Sequence, residues 1–468
     1  MNRFYSLLLM SGVVIAANAQ HVNGTSQQAE EALSAPSLSL LVVSGHEFVN
    51  AMNTGTEFTA TGKYYDNEVS YVVNTDESDT NEITVEKNYD EENGLLTLTL
   101  KQEGHANGVY TIKFEGNAKE AVYHIPNSDF ENWTEDGKLA DTWNSFETAS
   151  GAWSSFATMS PMPQMIDGYE GNGVRIVSKD LWVAYANGNM TTGHINMGDV
   201  NPAAATNFNY SDRTDVNGNL PFAGRPDAFE VYARFTPGTK SASAAEDVEL
   251  QGRVQLVLHG DAVFHDPFVA DEENDKIAVA SVLVPETSDW TKFTGEFNYT
   301  NDSYDGNMYM LASATTNPVP GASKDDQFDI DNLKLIYYHS LKAITLKGEP
   351  IEGFSPEKTE YTINGSIDKL GEYLDYEKMG KGGYVAEDWE AQDDGAFVVT
   401  YTVYGDDYDV NPDSKTVYTV RFEKATGIDS VSADEVKNHK VYTIGGVRVS
   451  GKPAAGLYIV DGKKMIVK

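Results

Sequence analysis

The chain has 468 residues, with 71 acidic against 34 basic side chains, a formal charge of −37 and no cysteine. That balance repels phosphate backbones and anionic membranes and leaves no basic stripe for nucleic acid. The missing cysteines exclude disulfides, thiolate metal sites and thiol catalysis, so stability rests on core burial in a length that suits about three domains.

In chain order, Met1 to Gln20 combine a basic Arg3, an apolar run from Leu7 to Ala17 and the small-residue triplet Ala17-Asn18-Ala19. This is the pattern of a secretory signal peptide over 1–19, and it predicts a secreted protein at the cell surface, in the medium or in a periplasm. No later segment is apolar for the roughly 20 residues that a spanning helix needs, so no membrane span is expected. Alternating Val, Thr, Tyr and Phe bounded by Gly, Asn and Asp then recur throughout, which predicts an all-β chain. The acidic surface reads first as solvation, with calcium binding as the sharper alternative.

Two small units, 36–118 and 340–424, look like repeats of each other. One closes on Val109-Tyr110-Thr111-Ile112-Lys113-Phe114 and the other on Val417-Tyr418-Thr419-Val420-Arg421-Phe422. Alternation puts Tyr418, Val420 and Phe422 on one face, predicted to be core, and Val417, Thr419 and Arg421 on the other. With Leu341 to Gly348 and Ile351 to Pro356, the second unit resembles the cadherin-like β-sandwich modules found beside glycan-binding and glycan-degrading domains of bacterial surface proteins. The resemblance implies a spacer role. The tail, 427–468, carries seven Lys or Arg against four Asp or Glu, with hairpin signals at Gly445-Gly446 and Asp461-Gly462. It resembles the C-terminal sorting domains of type IX secretion in the Bacteroidetes, which would make it an export address engaging that machinery or the cell surface.

The central part, 122–339, opens with Ile125-Pro126-Asn127-Ser128-Asp129-Phe130-Glu131-Asn132-Trp133, contains the segment from Pro221 to Gly238 and ends with Gln327 to Tyr338. Together and in this order these segments resemble the putative carbohydrate metabolism domain (PCMD) family. The resemblance implies a jelly-roll β-sandwich similar to carbohydrate-binding modules, and no particular reaction. The residues agree on fold: 174–177, 229–235, 254–258, 293–299 and 308–312 are strand-length and bounded by turn formers. In the last strand the parity of Phe328 and Ile330 conflicts with that of Leu333, Leu335 and Tyr337. Either a bulge intervenes at Asp331-Asn332 or Asp329 and Asp331 point inward. Many jelly-roll modules hold a structural calcium between opening and closing strands. Asp129, Glu131, Asp329 and Asp331 are the matching residue types here; the alternative is that they cap turns or pair with Arg or Lys.

Sugar binding needs aromatic surface against CH faces and a few polar groups for hydroxyls. Trp143, Trp153, Phe156, Tyr169, Trp182 and Tyr185 are the candidates, with Trp133 assigned to the core. Residues 181–185 read as a strand that splits Trp182 from Tyr185. His259, Asp261, His265 and Asp266 form the best polar cluster, and His259 and Asp261 join the candidate ligand contacts; a plain polar loop is the competing explanation. No catalytic constellation emerges, since Asp261, Asp266, Glu230 and Glu296 are nominees without geometry. The sequence therefore points to an exported glycan-binding protein. The alternatives are a hydrolase or lyase on the same scaffold, or an adhesive surface protein without a sugar ligand.

Overall fold

The computed structural model describes residues 34–467 apart from 66–68, 76–80, 117–118, 140–141, 261–263, 268–274, 365–372, 394, 424–435 and 437–438. The signal-peptide segment 1–19 lies outside the described residues, as does Asp261. No helix among the described residues is long and apolar enough to cross a membrane. The described elements are almost all strands.

Alternation drives the N-terminal unit. Leu96, Leu98 and Leu100 of strand Leu95–Lys101 face Tyr110, Ile112 and Phe114 of strand Gly108–Phe114 in one buried cluster with Leu38, Leu41 and Val43. Two sheets enclose it. One orders His46–Val49, Leu38–Val43 and Val69–Val73; the other orders Glu57–Ala60, Gly108–Phe114, Leu95–Lys101 and Thr84–Asp90, with its first pair parallel. Residues 341–422 repeat this plan strand for strand: Glu349–Pro350, Leu341–Leu346 and Leu374–Lys378 form one sheet. Glu360–Ile363, Lys415–Phe422, Phe397–Tyr404 and Tyr384–Ala391 form the other, its first pair again parallel. Tyr418, Val420 and Phe422 are fully buried, the face that alternation selects. The likeness extends to one hydrogen bond, because the Leu38 amide donates to Tyr110 Oη at 2.9 Å and the Leu341 amide to Tyr418 Oη at 3.2 Å.

Between these units two antiparallel sheets enclose the largest core. The five-stranded sheet orders Thr287–Glu296, Ala228–Thr236, Gln327–Ile336, Asn172–Val177 and Gln164–Asp167. The opposing sheet is built around Gly252–His259, flanked by Met308–Thr315 and Lys276–Val284. Phe229, Val231, Ala233 and Phe235 point inward to meet Val254, Leu256 and Leu258. The parity conflict of the closing strand resolves as a bulge: Glu230 pairs with Lys334 but Tyr232 with Asp331, and Asn332 takes the left-handed φ of 47° that absorbs the extra residue. Phe328, Ile330, Leu333 and Leu335 consequently all reach the same core. The segment around Phe130, expected to open the domain as a strand, is instead a series of turns, with Asn127 and Phe130 at φ of 50° and 56°.

Both flanking units are joined to the central sandwich through acids, of which Asp212 and Asp227 are buried and Asp406 is half-buried. On one side Gly62 N donates to Thr214 O at 2.7 Å, and His46 Nδ1 lies 2.7 Å from Asp212 Oδ2. The approach is so close that a Cβ on Gly62 would stand 1.8 Å from Arg213 O. On the other side Asp227 accepts from the Tyr338 and Lys381 amides at 2.7 and 2.8 Å, and Asp406 accepts from the Arg225 and Gly383 amides. Burial pushes the Asp227 carboxyl up to about 6, although the two amides favour its charged form. In the tail, Gly456–Val460 and Lys463–Val467 pair across a turn at Asp461-Gly462, both at positive φ as the sequence expects of an Asp-Gly hairpin. Leu457 and Ile466 pack on the core of the preceding unit, and Lys464 Nζ sits 4.1 Å from the Trp389 ring centre.

Candidate functional site

A cleft of about 330 Å³ opens at one end of the central sandwich. Its floor is the strand ends carrying Arg253 and Thr315, followed by Asn317. One wall is a small sheet of His194–Met197, Asn207–Tyr210 and His265–Asp266, which contributes Ile195, Met197 and Phe208. A second wall is the turn joining Lys179–Asp180 to Tyr185–Ala186, and the 3-10 helix Ser154–Met159 with Trp153 at its start covers the top. The small sheet forms because the asparagines of 187–209 hold loops rather than extend strands. Asn196 Nδ2 donates to Thr206 O at 2.7 Å, Asn207 Nδ2 to Asn201 O at 2.8 Å, and Asn187 Nδ2 to Asn317 O at 2.7 Å.

The 179–186 hairpin corrects the expected strand over 181–185. Asp180 Oδ1 accepts from Trp182 N at 2.8 Å and Leu181 N donates to Ala184 O, an Asx-type turn that leaves Trp182 at φ 74°. Parity therefore does not separate Trp182 from Tyr185. Tyr185 lines the cleft with Leu181 and Val183, while Trp182, between those two in the turn, is 96% exposed and Val183 63%. Met159, Val200 and Val319 are further exposed apolar residues in or next to the lining segments. Grouped exposure of this kind marks a contact surface, whereas single exposed residues do not.

At the floor, Asp266 is buried and accepts from Gln255 Nε2 at 2.8 Å, Ser313 Oγ at 2.9 Å and Arg253 Nη2 at 3.3 Å. Both of its oxygens are engaged. A second hollow of about 360 Å³ at the junction with the N-terminal unit is more polar, and of its aromatics Tyr65, Phe222 and Tyr309 the Tyr65 ring is already covered by the Arg213 guanidinium at 3.9 Å.

Of the sequence candidates, the structure brings Trp153, Phe156, Tyr185 and Asp266 together, and Trp182 projects into solvent from the turn that forms the second wall. Trp143 is a core residue: it is 4% exposed, packs on Phe130, and its Nε1 donates to Asn127 O. Tyr169 lies elsewhere, stacked flat on Tyr232 at 3.6 Å against the five-stranded sheet. His259 is buried between Phe264 and Tyr309 and hydrogen-bonded to Ser211 Oγ and Gly260 O. Desolvation, reinforced by the Arg213 charge, lowers its pKa to about 3, so it stays neutral and structural. Glu230 pairs with Lys292 at 2.9 Å and Glu296 accepts from Tyr338 Oη, both outside the cleft.

The four calcium candidates do not form one ligand set, although Glu131 and Asp331 both reach the 170–172 loop. Asp329 receives three hydrogen bonds, from Arg175 Nε and Nη2 at 2.6 and 2.8 Å and Arg234 Nε at 2.7 Å. Two guanidinium forks leave its oxygens no room for a cation. Glu131 is taken up by the Asn172 amide groups, Asp331 by the amides of Glu170 and Asn332, and Asp129 is exposed. Burial, with the nearby Glu131 charge adding to it, raises the Asp331 pKa. Among the described residues no group of three or more His, Asp or Glu is placed to hold a metal.

Phe146, Phe208, Arg253 and Asn317 belong to the cleft and were not among the sequence candidates. They are far apart in the chain and each sits in an unremarkable local pattern; only the asparagine-rich run from 187 to 209 hinted at a loop-built site.

No family model matches the chain, and no curated protein matches it. Three solved structures show a partial likeness. A candidate glycoside hydrolase from Bacteroides thetaiotaomicron has a TM-score of 0.35 at 14% identity, covering 67% of this chain and 99% of its own. A candidate glycoside hydrolase from Bacteroides vulgatus has a TM-score of 0.30 at 14% identity, covering 54% and 95%. An arabinose-bound α-L-arabinofuranosidase has a TM-score of 0.20 at 12% identity, covering 47% and 31%. Likeness at this level establishes no shared chemistry.

Proposed function

We propose that this is an exported glycan-binding protein that holds an oligo- or polysaccharide in the aromatic cleft at 146–320. The observation that carries the reading is Trp182, a large apolar ring presented to solvent from the left-handed turn whose neighbours Leu181 and Val183 line a cleft walled by Trp153, Phe156, Tyr185 and Phe208. An exposed tryptophan in that conformation costs solvation and backbone energy, and stacking on a sugar face would offset both. Binding is favoured over hydrolysis because Asp266, the buried carboxylate of the floor, has both oxygens committed to fixed donors, which suits a structural acid better than a proton carrier. Within this reading the central sandwich is the PCMD-like domain. The units at 36–118 and 340–424 space it from the cell surface, and the tail is an export address of the type IX kind.

The test is a glycan array with the full chain, with and without calcium, followed by titration of any ligand against Trp153→Ala and Trp182→Ala. Sugar binding that falls about tenfold or more with either change supports the cleft. Folded protein that binds no glycan would leave the adhesive alternative.

A further inference from the structure

We infer that the cleft reads a carboxylate on its sugar, so that the ligand is an acidic glycan carrying uronic acid residues. This rests on the glycan reading above and names the ligand class within it. The buried side-chain atoms of the cleft that lack a hydrogen-bond partner are Arg253 Nε and Asn317 Nδ2, and both are donors. They lie at the same end of the floor. Arg253 pairs across the sheet with Thr315, and Thr315 Oγ1 in turn donates to Asn317 O.

The side-chain acceptors beside them already hold donors. Asp266 takes three donors, and Asn317 Oδ1 accepts from Val319 N at 2.8 Å. A neutral hydroxyl has to place its own hydrogen as well, whereas a carboxylate only accepts and can meet two donors at once. Arg253 can take on that role because its contact with Asp266, at 3.3 Å, is longer than the 2.8 Å and 2.9 Å bonds that already hold the acid. A guanidinium has five N–H groups in a planar fork that matches a carboxylate. Asp199 sits at the exposed rim, so the discrimination is confined to the floor. In a chain of net charge −37 there is no general attraction for an anionic polymer, which makes specific pairing necessary.

The experiment is calorimetric titration of the full chain with oligosaccharides of galacturonic, glucuronic and mannuronic acid, each beside its carboxyl-reduced neutral counterpart. At least one acidic member should bind and should weaken about tenfold or more on reduction, the scale of a lost charge-assisted pair. Asn317→Asp, which replaces the unpaired donor by an acceptor, and Arg253→Gln should each weaken the acidic ligand similarly, with folding checked by thermal unfolding. If Arg253→Gln does not fold, Asn317→Asp and the paired ligands still decide. A reduced glycan bound as tightly as its acidic parent, with both lost in Trp182→Ala, would overturn the carboxylate while leaving the glycan cleft standing. Absence of binding to every acidic and neutral oligosaccharide would overturn both.

Discussion

Trp182 separates binding from stability more cleanly than any other residue. Its side chain makes no buried contact, and its φ of 74° is costly for any residue with a Cβ. Trp182→Gly should therefore leave stability unchanged or raise it by up to about 1 kcal/mol, by relief of the left-handed strain, while glycan affinity falls. Denaturant unfolding alongside titration reads both; a marked loss of stability would mean that the ring packs on something. Asp329 behaves oppositely. It is buried and holds two guanidinium groups whose side chains are about 30% exposed. Asp329→Asn removes the charge that both arginines face, and a loss of about 2 kcal/mol is expected, below the figure for fully buried pairs because water reaches the arginines. The same geometry predicts that chelation by EDTA leaves the thermal midpoint unmoved; a fall of several degrees restored by calcium would contradict it.

At the scale of elements, the legible features were those that depend on alternation alone. Tyr418, Val420 and Phe422, or Phe229 through Phe235, bury the face their period selects because one side of each strand meets a core. The bulge at Asn332 was visible as a parity conflict, since an inserted residue necessarily shifts the phase. The stretch 181–185 was misread because an apolar pentapeptide carries no sign of whether Asp180 will cap a turn. The repeated tyrosine of the flanking units offers a paired test. Tyr110→Phe and Tyr418→Phe each leave the buried amide of Leu38 or Leu341 without its acceptor, and each should cost about 1 to 2 kcal/mol. Tyr418 Oη also donates to Pro356 O at 2.6 Å, so unfolding should show a loss in both single variants and the larger one in Tyr418→Phe; an effect in one copy only would argue that the shared bond is incidental to the other unit.

For the whole molecule, the junctions set how the cleft is carried. His46 from the N-terminal unit meets Asp212, with His194, Asp215 and Tyr210 close by in the central domain. Burial disfavours a charge on His46, but the charge and hydrogen bond of Asp212, aided by Asp215 and Glu47, outweigh it and raise the histidine pKa. Asp212 is depressed, its own desolvation being outweighed by His46 and His194. The histidine contribution is complete below its ordinary 6.5 and is lost as pH rises through the raised value; the Asp212 contribution is present above 3.8 and is lost as pH falls through the depressed value. The junction should thus be tightest between about pH 4 and 6.5. Hydrogen exchange at the Gly62 amide, corrected for intrinsic rate, should be faster at pH 8.5 than at pH 6, and His46→Gln should abolish the difference. Equal protection at both pH values would show that the pair contributes nothing to docking.

The sequence by itself determined the β class, the strand faces, the parity conflict in the closing strand and the likeness of the two flanking units, because these follow from local period and from composition. It also bounded the chemistry by having no cysteine and a large negative charge. Only the tertiary structure decided which aromatics share a surface, that Trp143 and His259 are core while Trp182 faces solvent, and that Asp329 belongs to two arginines rather than to a cation. A cleft assembled from residues 146 to 320 is fixed by loop closure and long-range pairing, and no local pattern encodes which side chains those contacts bring together.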